Sequence, residues 1–182
     1  MITSNMNSAT MTPEQATSRG RIATVFFSGL GLLGWYFAPD KTVSLPMAIM
    51  YALLMIQTWF SLPLFFRLID QKDMRQRIID PVIGVAYALL AYTIGNPILF
   101  TFAWAIFFTL TVLKYSMLVG TFSNTTLLRR KLMANILGVA LGLAMPTFLG
   151  FGLIGEWIGV ILFAGACVQY LVLRPLYVTD KV

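Results

Sequence analysis

Four neutral polar side chains lie inside long apolar stretches of this chain: Gln57 and Ser61, Asn135, and Gln169. Gln57 and Ser61 stand four residues apart, so on a helix they share one face. Counted from the charged loops, all four fall in the half of their segments nearest the basic residues. In hydrocarbon an amide must find a partner, and a hydrogen bond between membrane helices is worth roughly 0.6 to 2 kcal/mol. The chemistry open to this set is non-covalent. Either the four side chains tie helices together, or they line a cytoplasm-facing vestibule for a neutral or zwitterionic ligand.

Reactive side chains are scarce. The chain has no His, one Cys (Cys167) and seven acids. Zinc or haem requires clustered His, Cys or carboxylate ligands, and the sequence offers none to cluster. The ten Met residues read as flexible packing. A Ser or Cys nucleophile needs a base within hydrogen-bond reach, and the acids stand in loops. Asp70, Asp73 and Asp80 lie among Arg67, Lys72, Arg75 and Arg77 and read as a solvated, salt-bridged loop. Glu156 follows a glycine-rich turn and is expected at the outer interface, in contact with water. No ionisable group is therefore expected inside the bundle to couple ion movement. Catalytic, metal and cofactor sites are not expected, and the reading is of a protein that is not an enzyme.

The elements that position these residues are set by composition and charge. At 58% hydrophobic and 11% charged, with a mean hydropathy of +0.80, the chain lies outside the soluble range. Of its 13 Lys and Arg residues, all but Lys41 fall in four places: Arg19 and Arg21; residues 67–77; Lys114 with Arg129, Arg130 and Lys131; and Arg174 with Lys181. These places alternate with the loops between apolar segments. Because short cytoplasmic loops are enriched in Lys and Arg, the pattern predicts six transmembrane helices, arranged as three hairpins with both termini inside. The fold class expected is all-α integral membrane, multi-pass, in a bacterial inner membrane. The net charge of +6 is divided among loops without a basic, aromatic-interleaved stripe, which argues against nucleic acid.

The division expected is a cytoplasmic tail with a short interfacial helix over 1–21, a six-helix domain over 22–174 and a tail over 175–182. Thr12-Pro13-Glu14-Gln15 has the form of a capped helix start. The first span is expected from Ile22 to Phe37, and the second begins after Ser44, with Pro46 in its first turn, and runs to Phe66, kinked at Pro63. Asp80-Pro81 reads as the start of the third. Gly95-Asn96-Pro97 divides the uncharged run from Pro81 to Leu113, and Asn96 caps the fourth. Lys114 falls about 25 Å along that helix, near the cytoplasmic interface, where it is expected to snorkel. The fifth helix follows Ser123-Asn124-Thr125-Thr126, and Pro146 with the glycines at 150, 152 and 155 ends it at the outer surface. The sixth runs from Glu156 to Leu173.

Helix contacts are predicted along two small-residue ridges, Ala134, Gly138 and Gly142 on the fifth helix and Gly155 with Gly159 on the sixth. Phe100, Phe102, Trp104, Phe107 and Phe108 suggest a fourth helix that meets lipid or a partner subunit. Arg129, Arg130 and Lys131 are expected to hold anionic lipid headgroups. The functional expectation is a non-catalytic membrane subunit or scaffold of a larger assembly, with other membrane subunits or further copies of itself as partners. The alternative is a small-solute transporter or binding component, which requires the inner polar residues to converge on one cavity.

Overall fold

The computed structural model describes residues 12–69, 73–120, 122 and 124–173. Asp70, Lys72, Ser123, Arg174, Lys181 and most of the two tails lie outside the described residues, as does the side chain of Arg67. Among the described residues there are six long α-helices: α1 (Pro13–Tyr36), α2 (Lys41–Leu68), α3 (Met74–Tyr92), α4 (Pro97–Ser116), α5 (Thr125–Leu149) and α6 (Leu153–Val168). Every helix from α2 to α6 is long and apolar enough to cross a membrane once the turns that extend α3 and α6 are included. The chain is thus a multi-pass, all-helical membrane protein.

Helix starts follow local capping chemistry. The Thr12 side chain accepts from the Gln15 amide while Gln15 Oε1 accepts from Thr12 N, a reciprocal box that satisfies two orphan donors. From there α1 runs unbroken for 24 residues, so the expected interfacial helix and first span are one element. Gly20 passes through it because a Cβ there would lie 2.9 Å from Pro63 N of α2. At the following turn Lys41 Nζ donates to the carbonyls of Trp35, Tyr36 and Ala38, closing the end of α1. Asp40 caps α2 by accepting from Thr42 N at 2.8 Å and Val43 N at 3.2 Å. α2 therefore begins before Ser44, and it continues past Pro63 to Leu68.

The third helix departs most from expectation. Asp73, not Asp80, is its N-cap, accepting from Arg75 N at 2.9 Å. Pro81 then lies inside α3, at the cost of one helical hydrogen bond to the Arg77 carbonyl. Asn96 caps α4 through Leu99 N, as its position implies. Asn124 does the same for α5 through Leu127 N. α5 runs through Pro146 to Leu149 with Gly150 as its C-cap, inside the stretch of Pro146 and glycines expected to end it. Gly152, at φ +64°, supplies the left-handed backbone that turns the chain into α6. α6 begins at Leu153, ahead of Glu156, and closes in a π-helical turn over Gln169–Leu173.

Contact pairs give the helix directions. Gly20 meets Pro63 and Gly31 meets Tyr51, so α1 and α2 are antiparallel. The Tyr87 and Phe107 rings, with centroids 4.5 Å apart, pair α3 with α4. Gly138 against Phe108 and Gly142 against Ala105 pair α4 with α5, and Gly159 against Met145 pairs α5 with α6. α1 also runs parallel to α3, through Gly84 near Phe27 and Gly34 against Ala91.

Both small-residue ridges are thus consumed inside the chain. Gly138 leaves no room for a Cβ beside the Phe108 ring, and its carbonyl accepts from Trp104 Nε1 at 3.1 Å. Gly155 lies against the Phe148 carbonyl. The aromatic helix is likewise internal. Phe100, Trp104, Phe107 and Phe108 are at most 2% exposed, whereas Phe102 is 59% exposed. Residues 100, 104, 107 and 108 follow the spacing of one helical face, and only Phe102 leaves it.

The seam between α4 and α5 should be intolerant of bulk. Gly138→Leu is expected to lower stability by about 1–3 kcal/mol, as overpacking does. Gly165→Ala, which meets nothing within 4 Å, is expected to be neutral or stabilising. Thermal melts of the two variants in detergent check this, and equal melting temperatures would refute the close approach.

Candidate functional site

A cavity of about 50 Å³ lies between α2, α3, α4 and α5, beyond the polar end of the α4–α5 seam. Its polar wall is assembled by helical spacing. α2 contributes Gln57 and Ser61, four residues apart; α4 contributes Thr111 and Lys114, three apart; and α5 contributes Lys131 and Asn135, four apart. Each pair stands on one face of its helix. From α3, Tyr87 reaches the cavity and shares a 2.7 Å hydrogen bond with Thr58 of α2.

The charged groups are held in different ways. Lys114 does not snorkel. Its side chain is 7% exposed, and Nζ donates to Asp80 Oδ1 at 2.5 Å. Asp80 therefore serves a neighbouring helix and caps none. Lys131 is also buried, with its ammonium 6.0 Å from the Phe65 ring centre and 5.8 Å from that of Tyr115. Such ring faces stabilise a cation in place of water. Asn135 is 3% exposed, and its Nδ2 has no hydrogen-bond partner. A buried donor left unmade costs roughly 1–3 kcal/mol, so its position on a cavity wall is informative.

Gln57, Ser61 and Asn135 are brought together; Gln169 is not. It is exposed in the π-helical turn after α6. Ala134 lines a neighbouring pocket with Gln57 and Tyr170. Of the three basic residues at the start of α5, Arg129 is exposed, Arg130 is half-buried and Lys131 is buried in the bundle. Glu156 does not simply meet water: it is 6% exposed, with Oε2 unpartnered, in the first turn of α6. Helix dipoles there favour a negative charge. Gln76, on α3, is buried with both amide atoms unpartnered, but it stands off the cavity wall. Asp73 pairs with its neighbour Arg75. The Arg75 backbone N–H, and then its guanidinium, hold the Asp73 carboxyl below the usual carboxylate range.

The sequence reading gives Lys131 a headgroup role and Lys114 an interfacial one, and it places neither on the wall of this cavity. The signal available was spacing, because Lys131 stands one turn before Asn135. A larger groove of about 510 Å³ between α1 and α2 is mostly apolar, lined by Trp35, Met55 and Trp59 among others. Among the described residues no group of three or more His, Cys, Asp or Glu could hold a metal. The cavity wall thus combines two ammonium groups and two amides with five hydroxyls. Comparison with protein-family models, curated proteins and solved structures gives no match.

The Asp80 and Lys114 pair can be tested directly. Asp80→Asn should cost about 1.5–3 kcal/mol, the usual scale for a hydrogen bond to a charged group. Adding Lys114→Met should recover most of the loss, because no buried charge remains. Chemical or thermal unfolding of the two single variants and the double variant gives the coupling energy, and a value near zero would dismiss the pair.

Proposed function

We propose that this protein is a membrane-embedded component that binds a small polar solute, of the transporter or substrate-binding class, and performs no covalent chemistry. The observation that carries the reading is the unpartnered Asn135 amide on a cavity wall shared with Gln57, Ser61 and two lysines. A residue acting only as a tie between helices would spend that donor on a neighbour. The scaffold alternative rests in part on small-residue ridges and an aromatic helix suited to packing against a partner. With both packed inside the chain, it keeps less support.

In this reading all six helices cross the bilayer. α1 has only residues 22–36 as its apolar part, about 22 Å at 1.5 Å per residue, against a hydrocarbon core of about 30 Å. It nevertheless lies along α2 from Gly20 to Gly31 and along α3 from Phe27 to Gly34. Its outward side chains Ile22, Val25, Phe26, Leu32 and Leu33 are apolar and exposed, as lipid contact requires. Both termini then lie on the cytoplasmic side with most of the basic residues, and the cavity opens toward that side.

Topology is checked by impermeant thiol labelling in a Cys167→Ala background. Phe151→Cys should react from outside and Thr125→Cys should not; the opposite pattern would reverse the orientation.

The binding role is checked by stability. Gln57→Leu and Asn135→Leu should melt at or above the parent, because neither removes a hydrogen bond that the fold uses. Helix-tying residues would instead lose about 1 kcal/mol each. A lowered melting temperature in both variants would return the balance to the scaffold.

A further inference from the structure

We propose that the cavity bordered by α2, α4 and α5 binds one small inorganic anion of halide or nitrate size. This rests on the binding role above and specifies its ligand class. The unmet group on the wall, Asn135 Nδ2, is a donor in a side chain only 3% exposed. What completes a donor is an acceptor. The wall also carries the Lys114 and Lys131 side chains, whose ammonium groups donate and cannot accept. A water there could be held by the Gln57 carbonyl and the wall hydroxyls, but it gains little from the charge of the two ammonium groups. An anion accepts from all of these donors and donates nothing.

The geometry divides the roles. Lys114 is matched by Asp80, which stands off the cavity wall. Lys131 and Asn135, one turn apart on α5, are the principal ligands, with the Ser61 hydroxyl facing them from α2. The Phe65 and Tyr115 rings stand beside Lys131, which is 7% exposed, and such burial strengthens attraction between ammonium and anion. Size sets the upper limit. One water needs roughly 10–15 Å³ on this scale, so about 50 Å³ admits a few atoms. A halide or nitrate fits; a nucleotide or a sugar phosphate does not.

The test is thermal melting of the full chain in uncharged detergent without anionic lipid. Sodium chloride and sodium nitrate are titrated against sodium gluconate at equal ionic strength, gluconate being too large to enter. Chloride or nitrate should raise the melting temperature saturably, by roughly 2–4 °C above gluconate. Asn135→Leu and Lys131→Met should each weaken the apparent affinity about tenfold or more, while Arg129→Gln titrates like the parent. Equal responses to all three salts, or parent-like titration of the Asn135 and Lys131 variants, would overturn the proposal. So would a rise produced by added phosphatidylglycerol alone, which would assign the site to a lipid phosphate. Reaction of Ser61→Cys, in the Cys167→Ala background, with a small neutral thiol reagent separates two kinds of failure. Without an anion response, a reactive Cys leaves the binding role standing and removes only the anion; an unreactive Cys removes both.

Discussion

The architecture depends on how closely α5 can approach α4. Between helices in lipid there is little hydrophobic drive, because acyl chains are as apolar as Leu, so contact relies on dispersion and a few hydrogen bonds. Gly138 and Gly142 remove side chains where Phe108, Trp104 and Ala105 stand. Trp104 then adds the bond from Nε1 to the Gly138 carbonyl and an edge contact with Phe163 of α6 at 4.7 Å. On the same face Phe107 packs at a tilt against Tyr87 of α3. One face of α4 therefore joins three other helices, and loosening its contact with α5 loosens them all.

The cavity is a product of that seam. Asn135 lies three residues before Gly138 on α5, and Thr111 lies three after Phe108 on α4. The interlocked glycine and ring consequently set the spacing of the polar groups one turn away. Beyond them the chain changes from size matching to charge, with Lys114 and Lys131 both buried. Burying Lys114 is offset by Asp80, and that pairing fixes α3 as a further wall. The electrostatics of the site and the packing of the bundle are one problem with a shared solution.

Much of the architecture was legible in the sequence, for local reasons. Thr12, Asn96 and Asn124 cap helices because a short polar side chain beside an apolar run has an orphan N–H within reach. Asp80-Pro81 carries the same signature and misleads, because the carboxylate is claimed by Lys114, 34 positions further on. No local pattern holds that information. Orientation around a helix was equally hard to read. Apolar residues surround α5, so periodicity could not tell that Arg129 points out and Lys131 in. Gln57, Ser61 and Asn135 were identified by depth alone, and Gln169, at similar depth, faces outward. Depth is encoded in distance from a loop; facing direction is encoded in partners.

The short apolar stretch of α1 bears on how the chain enters a membrane. Residues 22–36 offer little hydrophobic mass to an insertion machinery that reads segments one at a time. The face that would otherwise weaken it further carries Gly20, Gly31 and Gly34, which fit Pro63, Tyr51 and Ala91 on helices made later. Stable insertion of the first segment would then wait for α2 and α3 to leave the ribosome. In the proposed six-span reading, α1 would settle into the bilayer after α2 and α3, although it precedes them in the chain.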